Sequence, residues 1–185
     1  MKRMIWVLGL SLFTFSVFSQ TATKSTYDSN GRKTGTIKTD SNGNKTFHDS
    51  NGQKQGTTRV SNETETYYDK NSRKTGTAKT DNNGNKTYYD SNGRKQGTTR
   101  VSNGTETHYD SNGQKIGTTK TDTNGNKTYY NSNGQKQGTT RVSNGTETHY
   151  DSNGRKTGTT KTDANGNKTH YDSNGRKTGT VKVSK

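Results

Sequence analysis

The stretch Y-D-S-N-G-R-K-T-G at 27–35 decides how this chain reads. It recurs unchanged at 150–158 and at 171–179, and five near-copies lie between the first two. The Asp or Asn that follows the aromatic stands at 28, 49, 69, 90, 110, 131, 151 and 172, so the spacing alternates between 21 and 20 residues. A fixed period of this length marks a repeat architecture and outranks any local reading. The longer unit continues into K-T-D-x-N-G-N-K-T, as at 38–46 and 161–169. The shorter one continues into R-V-S-N-G-T-E-T, as at 100–107 and 141–148. The true period is therefore a pair of units, 41 residues, present four times. Two places are worn: Glu63 stands where later copies have Gly104 and Gly145, and Ser72 stands where the other units have glycine.

Each unit carries two turn signals. D-S-N-G is an Asp-initiated turn ending in a glycine suited to the left-handed region. The Asn-Gly of D-x-N-G-N or S-N-G-T is a second turn and a strong hairpin signal. Between them lie short runs rich in Thr and Tyr, which favour strands. The chain has no Pro to interrupt a ladder, and no segment shows helical apolar spacing. We expect an all-β fold, an up-and-down meander of about sixteen short strands.

Composition points the other way. Only 18% of residues are hydrophobic and the net charge is +15, a balance that by itself reads as disorder. Much of that apolar content sits in residues 1–19, where Lys2 and Arg3 precede the run M-I-W-V-L-G-L-S-L-F-T-F-S-V-F. This reads as a secretory signal cleaved before Gln20, leaving a β-repeat domain over 20–185. The segment resembles signals of Gram-negative bacteria, which implies a secreted or periplasmic protein of the cell envelope. The chain has no Cys, so neither disulfides nor thiolate metal sites are available.

Repetition has to replace a core. Ladders between units satisfy the backbone, and like side chains stack in register. The slot before each Asp holds Tyr27, His48, Tyr68, Tyr89, Tyr109, Tyr130, Tyr150 and Tyr171, and the slot one earlier is mostly aromatic too. Adjacent residues on a strand point to opposite faces, so the two slots serve different surfaces. The glycine after each D-S-N-G turn (Gly35, Gly56 and their equivalents) would permit a bulge or a close approach of strands. The chain begins with one unpartnered aromatic strand and ends with one unpartnered R-K-T-G-T-V-K-V-S strand. Pairing first with last would close the sheet and remove its edges.

The motif G-N-K-T-Y-Y-D-S-N-G-R-K-Q-G-T at 84–98, with its near-copy at 166–180, resembles two families. One is the YD repeat of Rhs-type shells. Here the two aromatics are adjacent, Lys33, Lys95 and Lys156 occupy the apolar position, and the chain is far too short for a toxin-enclosing shell. The other is the β-flower group of small secreted bacterial proteins, and that likeness extends over nearly all of 24–185. It implies a radially arranged meander of short hairpins, built here from eight 20/21-residue repeats and able to close, with little implied about activity.

Catalytic and metal chemistry find no footing. The four His (His48, His108, His149, His170) all fall in aromatic slots and read as flat amphipathic fillers. D-S-N-G-N at 40–44 and D-A-N-G-N at 163–167 suggest the start of a calcium loop, but Gly is fourth, not sixth, and no Glu follows. No nucleophile, base and orienting acid occur together, and every candidate is repeated and interchangeable, so neither enzymatic activity nor a cofactor is expected. The cations are more informative. Arg32, Lys33, Arg94, Lys95, Arg155, Lys156, Arg176 and Lys177 recur after the D-S-N-G turns. A second series, Lys38, Arg59, Lys79, Arg100, Lys120, Arg141, Lys161 and Lys182, recurs further along the strands. Arrayed in rings, they would attract acidic polysaccharide, lipid phosphate or extracellular DNA by field and multivalency. The expectation is a structural or binding protein of the envelope, with an interaction module of a polymorphic-toxin system as the alternative that the YD-repeat likeness implies.

Overall fold

The computed structural model describes residues 21–184. The expected signal, 1–19, lies outside the described residues. Sixteen strands follow one another with no helix between them: β1 (Ala22–Asp28), β2 (Lys33–Thr39), β3 (Lys45–Asp49), β4 (Lys54–Ser61), β5 (Thr64–Asp69), β6 (Lys74–Thr80), β7 (Lys86–Asp90) and β8 (Lys95–Ser102). The second half repeats the first as β9 (Thr105–Asp110), β10 (Lys115–Thr121), β11 (Lys127–Asn131), β12 (Lys136–Ser143), β13 (Thr146–Asp151), β14 (Lys156–Thr162), β15 (Lys168–Asp172) and β16 (Lys177–Ser184). Every strand pairs antiparallel with its sequence neighbours, and β1 pairs with β16 from Thr23↔Ser184 to Asp28↔Gly179. The sheet is thus a closed radial barrel of short hairpins, as the unpartnered strands at the two ends of the repeat array led us to expect.

Strands approach only their ladder partners, so the wall is a single layer. Barrels of this strand number are too wide for side chains to fill. Ala78 is the one buried hydrophobic residue among those described, and the buried polar side chains are threonines: Thr36, Thr58, Thr140 and Thr160. Cohesion comes from the continuous ladder and from cross-strand pairs, each worth about 0.2–1 kcal/mol. Closure leaves no edge on which a second chain could add.

The alternating period is an alternation of turns. In the shorter unit the link is two residues: Ser61 pairs Thr64, and Asn62 and Glu63 both have positive φ, 41° and 60°. This is the primed turn whose twist matches a hairpin. In the longer unit Asp40 accepts from Gly43 N–H and donates its own N–H to Asn44 O, a wider loop with Gly43 at φ 81°. Asn44 then clamps its surroundings. Its Nδ2 donates to Asp40 Oδ2 at 2.8 Å, and its Oδ1 accepts from Val60 N–H at 2.8 Å. Asn85, Asn126 and Asn167 do the same for Val101, Val142 and Val183. The amide donated by each Asn holds Asp40, Asp81, Asp122 and Asp163 below the usual carboxylate range.

The eight D-S-N-G-type turns join β1 to β2, β3 to β4 and so on, which puts them all at one end of the barrel. After each, the register slips by one residue, as between Tyr67/Tyr68 opposite Gly76 and Lys74. The strand glycine serves the other ladder, the one without the slip. A Cβ on Gly56 would lie 2.6 Å from the carbonyl oxygen of Tyr68 on the next strand. The crowding is therefore between ladder neighbours.

Candidate functional site

Strand alternation gives the wall two chemically different faces. The first face carries the tyrosines of the slot before each Asp. Thr57 pairs Tyr68, so Arg59, two residues on, lies on the same face and diagonal to that ring. Its guanidinium sits 5.2 Å from the Tyr68 centroid. The pattern repeats as Lys79 over Tyr89, Arg100 over Tyr109, Lys120 over Tyr130, Arg141 over Tyr150, Lys161 over Tyr171 and, across the closing seam, Lys182 over Tyr27, with separations up to 5.8 Å. His48 occupies the remaining place. Each such pair is worth about 0.5–1 kcal/mol when exposed. No glutamate of any strand lies on this face, so it is a belt of positive charge on an aromatic and threonine ground.

The cations after the turns form a separate group. Arg32, Lys33, Arg94, Lys95, Arg155, Lys156, Arg176 and Lys177 are all exposed and, by topology, share one rim. The Asp of each turn does not face them freely. Asp28 Oδ1 accepts the backbone N–H groups of Asn30 at 2.9 Å and Arg32 at 2.8 Å, and the other turns copy this. The carboxylates thus organise the turn backbone while the cations extend past it, a positive crown on the barrel end. The structure brings together the turn cations at the rim and the tyrosines in the belt, but not the two with each other. The tyrosines' partners are the mid-strand cations, and only the hairpin register shows that pairing.

The second face is electrically mixed. It carries Lys24, Lys45, Lys86, Lys127 and Lys168 together with Glu65, Glu106 and Glu147. Lys86 pairs Glu65 at 3.3 Å and Lys168 pairs Glu147 at 3.7 Å, each reaching across an intervening strand. Tyr67 donates its hydroxyl to Glu65 at 2.7 Å. Burial, reinforced by that bond, pushes the Tyr67 phenol up to about 12, while the same bond lowers Glu65. The histidines of this face bond to threonines on the neighbouring strands. Thr140 Oγ1 lies 3.3 Å from Tyr129 Oη and 3.1 Å from His149 Nδ1. His149 Nε2 lies 3.2 Å from Thr160 Oγ1, which lies 3.0 Å from His170 Nδ1. A chain of side-chain hydrogen bonds therefore crosses five strands. Its sequence signal is the Thr that faces each His across a hairpin. Among the described residues no group of three His, Cys, Asp or Glu could hold a metal, and no helix is long and apolar enough to cross a membrane.

No protein-family model and no curated protein matches the chain. Among solved structures it is similar to BamB from Moraxella catarrhalis, at 11% identity over 84% of this chain and 80% of that one, with a TM-score of 0.42. It is also similar to the G-box domain of the microcephaly protein CPAP, at 13% identity over 85% of this chain and 91% of that one, with a TM-score of 0.20. Likenesses this distant carry no functional argument, and the site rests on its own geometry.

Proposed function

We propose that this barrel is a non-catalytic protein of the bacterial envelope, secreted or periplasmic, that binds anionic polymer, with acidic polysaccharide as the ligand class. The observation that supports this best is the gathering of the turn cations on one rim: eight turns, each presenting one to three exposed cations past an Asp or, at 131, Asn side chain already engaged by backbone. A ring of weak point contacts suits a flexible polyanion, because the second and later contacts form at high effective concentration. The mid-strand belt of cations adds a second band of the same sign. Electrostatic binding of this kind falls steeply with salt.

The test is retention on immobilised heparin against a salt gradient. The protein should be retained at about 50 mM salt and elute well above it. A variant with Arg32, Lys33, Arg94, Lys95, Arg155, Lys156, Arg176 and Lys177 changed to Gln should elute at markedly lower salt, while Arg94→Gln/Lys95→Gln alone should elute only slightly earlier. Flow-through of the native chain at low salt would remove this reading.

A further inference from the structure

The second face carries a site the crown does not explain. Tyr88 and Tyr129 are 37% and 36% exposed, and among the described residues no cation lies over either ring, unlike the tyrosines of the first face. A cavity of about 230 Å³ opens beside Tyr129, lined by Lys127, Thr140, Val142, Glu147 and His149. The lining comes from three consecutive strands: Lys127 and Tyr129 from β11, Thr140 and Val142 from β12, Glu147 and His149 from β13. Its polar wall is held in place, because Thr140 is buried and bonded to both Tyr129 and His149.

We propose that this cavity is a subsite for a single uronic-acid-type pyranose of an acidic glycan. Its volume lies below the range of pockets for drug-sized ligands and suits one ring. An uncovered Tyr offers the flat apolar surface on which a sugar face stacks. Glu147 accepts hydrogen bonds from hydroxyls. Lys127 supplies one ammonium for one carboxylate. Its equivalents Lys86 and Lys168 are each within 4 Å of a glutamate, whereas Lys127 has no carboxylate that close among the described residues. A phosphate-rich ligand fits worse, because one ammonium beside a glutamate cannot offset several charges. Two near-equivalents of the site occur, around Phe47 and Tyr88, but their lysines or aromatics differ. At the seam the pattern fails, since Lys24 and Thr26 replace the acid and the aromatic. This inference rests on the acidic-polysaccharide reading and narrows it to one sugar at one place.

The experiment is titration of the full chain with short oligogalacturonate, followed by calorimetry and by the ring resonances of Tyr129. Binding should be saturable, and Tyr129→Leu should weaken it by about tenfold or more, the scale of one stacking contact. Lys127→Gln, a surface change that leaves the ladder intact, should weaken it similarly. Lys70→Gln removes the same charge from a turn and should leave it unchanged. A neutral oligosaccharide of equal length should bind at least tenfold more weakly. Equal binding of the neutral sugar, or equal loss with Lys70→Gln, would overturn the subsite. Retention on heparin with no binding of the short uronate would overturn it while leaving the polymer reading intact; absence of both would remove both.

Discussion

The worn primed turn offers a quantitative test of how the wall is held together. Glu63 has φ 60° in the position that Gly104 and Gly145 fill at 71° and 72°. A left-handed conformation costs a non-glycine residue roughly 1–2 kcal/mol. There is a second term. A Cβ on Gly104 would sit 2.7 Å from Thr121 O, and on Gly145 2.9 Å from Thr162 O. Glu63 occupies the same place against β6, and its carbonyl accepts Thr80 N–H at 2.9 Å against 2.7 Å and 2.8 Å in the glycine copies. Against this relief stands the unfolded-state entropy of glycine, about 0.5–1 kcal/mol. Glu63→Gly should therefore stabilise the barrel by about 1 kcal/mol, or about 2–4 °C in Tm for a chain of this length. Ser72 is the control. It too has positive φ, 63°, but the glycines in its place meet nothing within 4 Å. Only the dihedral relief remains, offset by the glycine entropy, so Ser72→Gly should raise Tm by about 1–2 °C, less than Glu63→Gly does. Glu63→Gln, which removes the charge and keeps the Cβ, should leave Tm where it is. Paired thermal melts by circular dichroism decide it. A Glu63→Gly variant no more stable than the native chain, or a Glu63→Gln variant equally stabilised, would refute the conformational argument.

Two further outcomes follow from the geometry. Deleting 21–28 removes β1 and both of its ladders, leaving β2 and β16 as open edges; Tm should fall sharply and size-exclusion chromatography should show self-association, whereas an unchanged melt would disprove closure. Tyr67 titrates above the ordinary tyrosine range. Its folded pKa is raised, so the stability of the Tyr67–Glu65 bond is fully present below pH 10 and is lost as pH rises from 10 toward 12. Absorbance at about 295 nm should show one late-ionising tyrosine that vanishes in Tyr67→Phe, and that variant should lose less stability across this window.

Much of this architecture was legible before any coordinates. The 21/20 alternation gave the hairpins, and the unpartnered first and last strands gave closure. What was not legible depended on register. Arg59 and Tyr68 are nine residues apart, and nothing local says that one lies over the other. The two-residue turn at Asn62-Glu63 sets Ser61 against Thr64, and every pairing above it follows. Read that way, the cation belt could have been found from the sequence. The Asn clamp could not, because Asn44 and Val60 are sixteen residues apart on different hairpins. Nor could the free state of Lys127, which depends on side-chain reach across an intervening strand.

That last point bears on how a symmetric array acquires function. Y-D-S-N-G-R-K-T-G supplies a turn, a glycine that lets the next strand come close and a ring, and eight such units close a wall with almost no apolar core. Properties shared by all units, the crown and the belt, are additive, and losing one copy costs one contact among many. A defined subsite needs the opposite, a place where one copy departs from its siblings. The Tyr–His alternation on the second face, and the loss of one Lys–Glu pair out of three, create such a place beside Tyr129 without disturbing the ladder, because neither change touches a backbone hydrogen bond. Restoring the symmetry should then erase the site while preserving the fold. Replacing His149 by Tyr, as in the unit containing Tyr67, removes the bond to Thr140 and fills the cavity beside Tyr129. Such a variant should melt within a few degrees of the native barrel, stay bound to heparin, and no longer take up a short uronate.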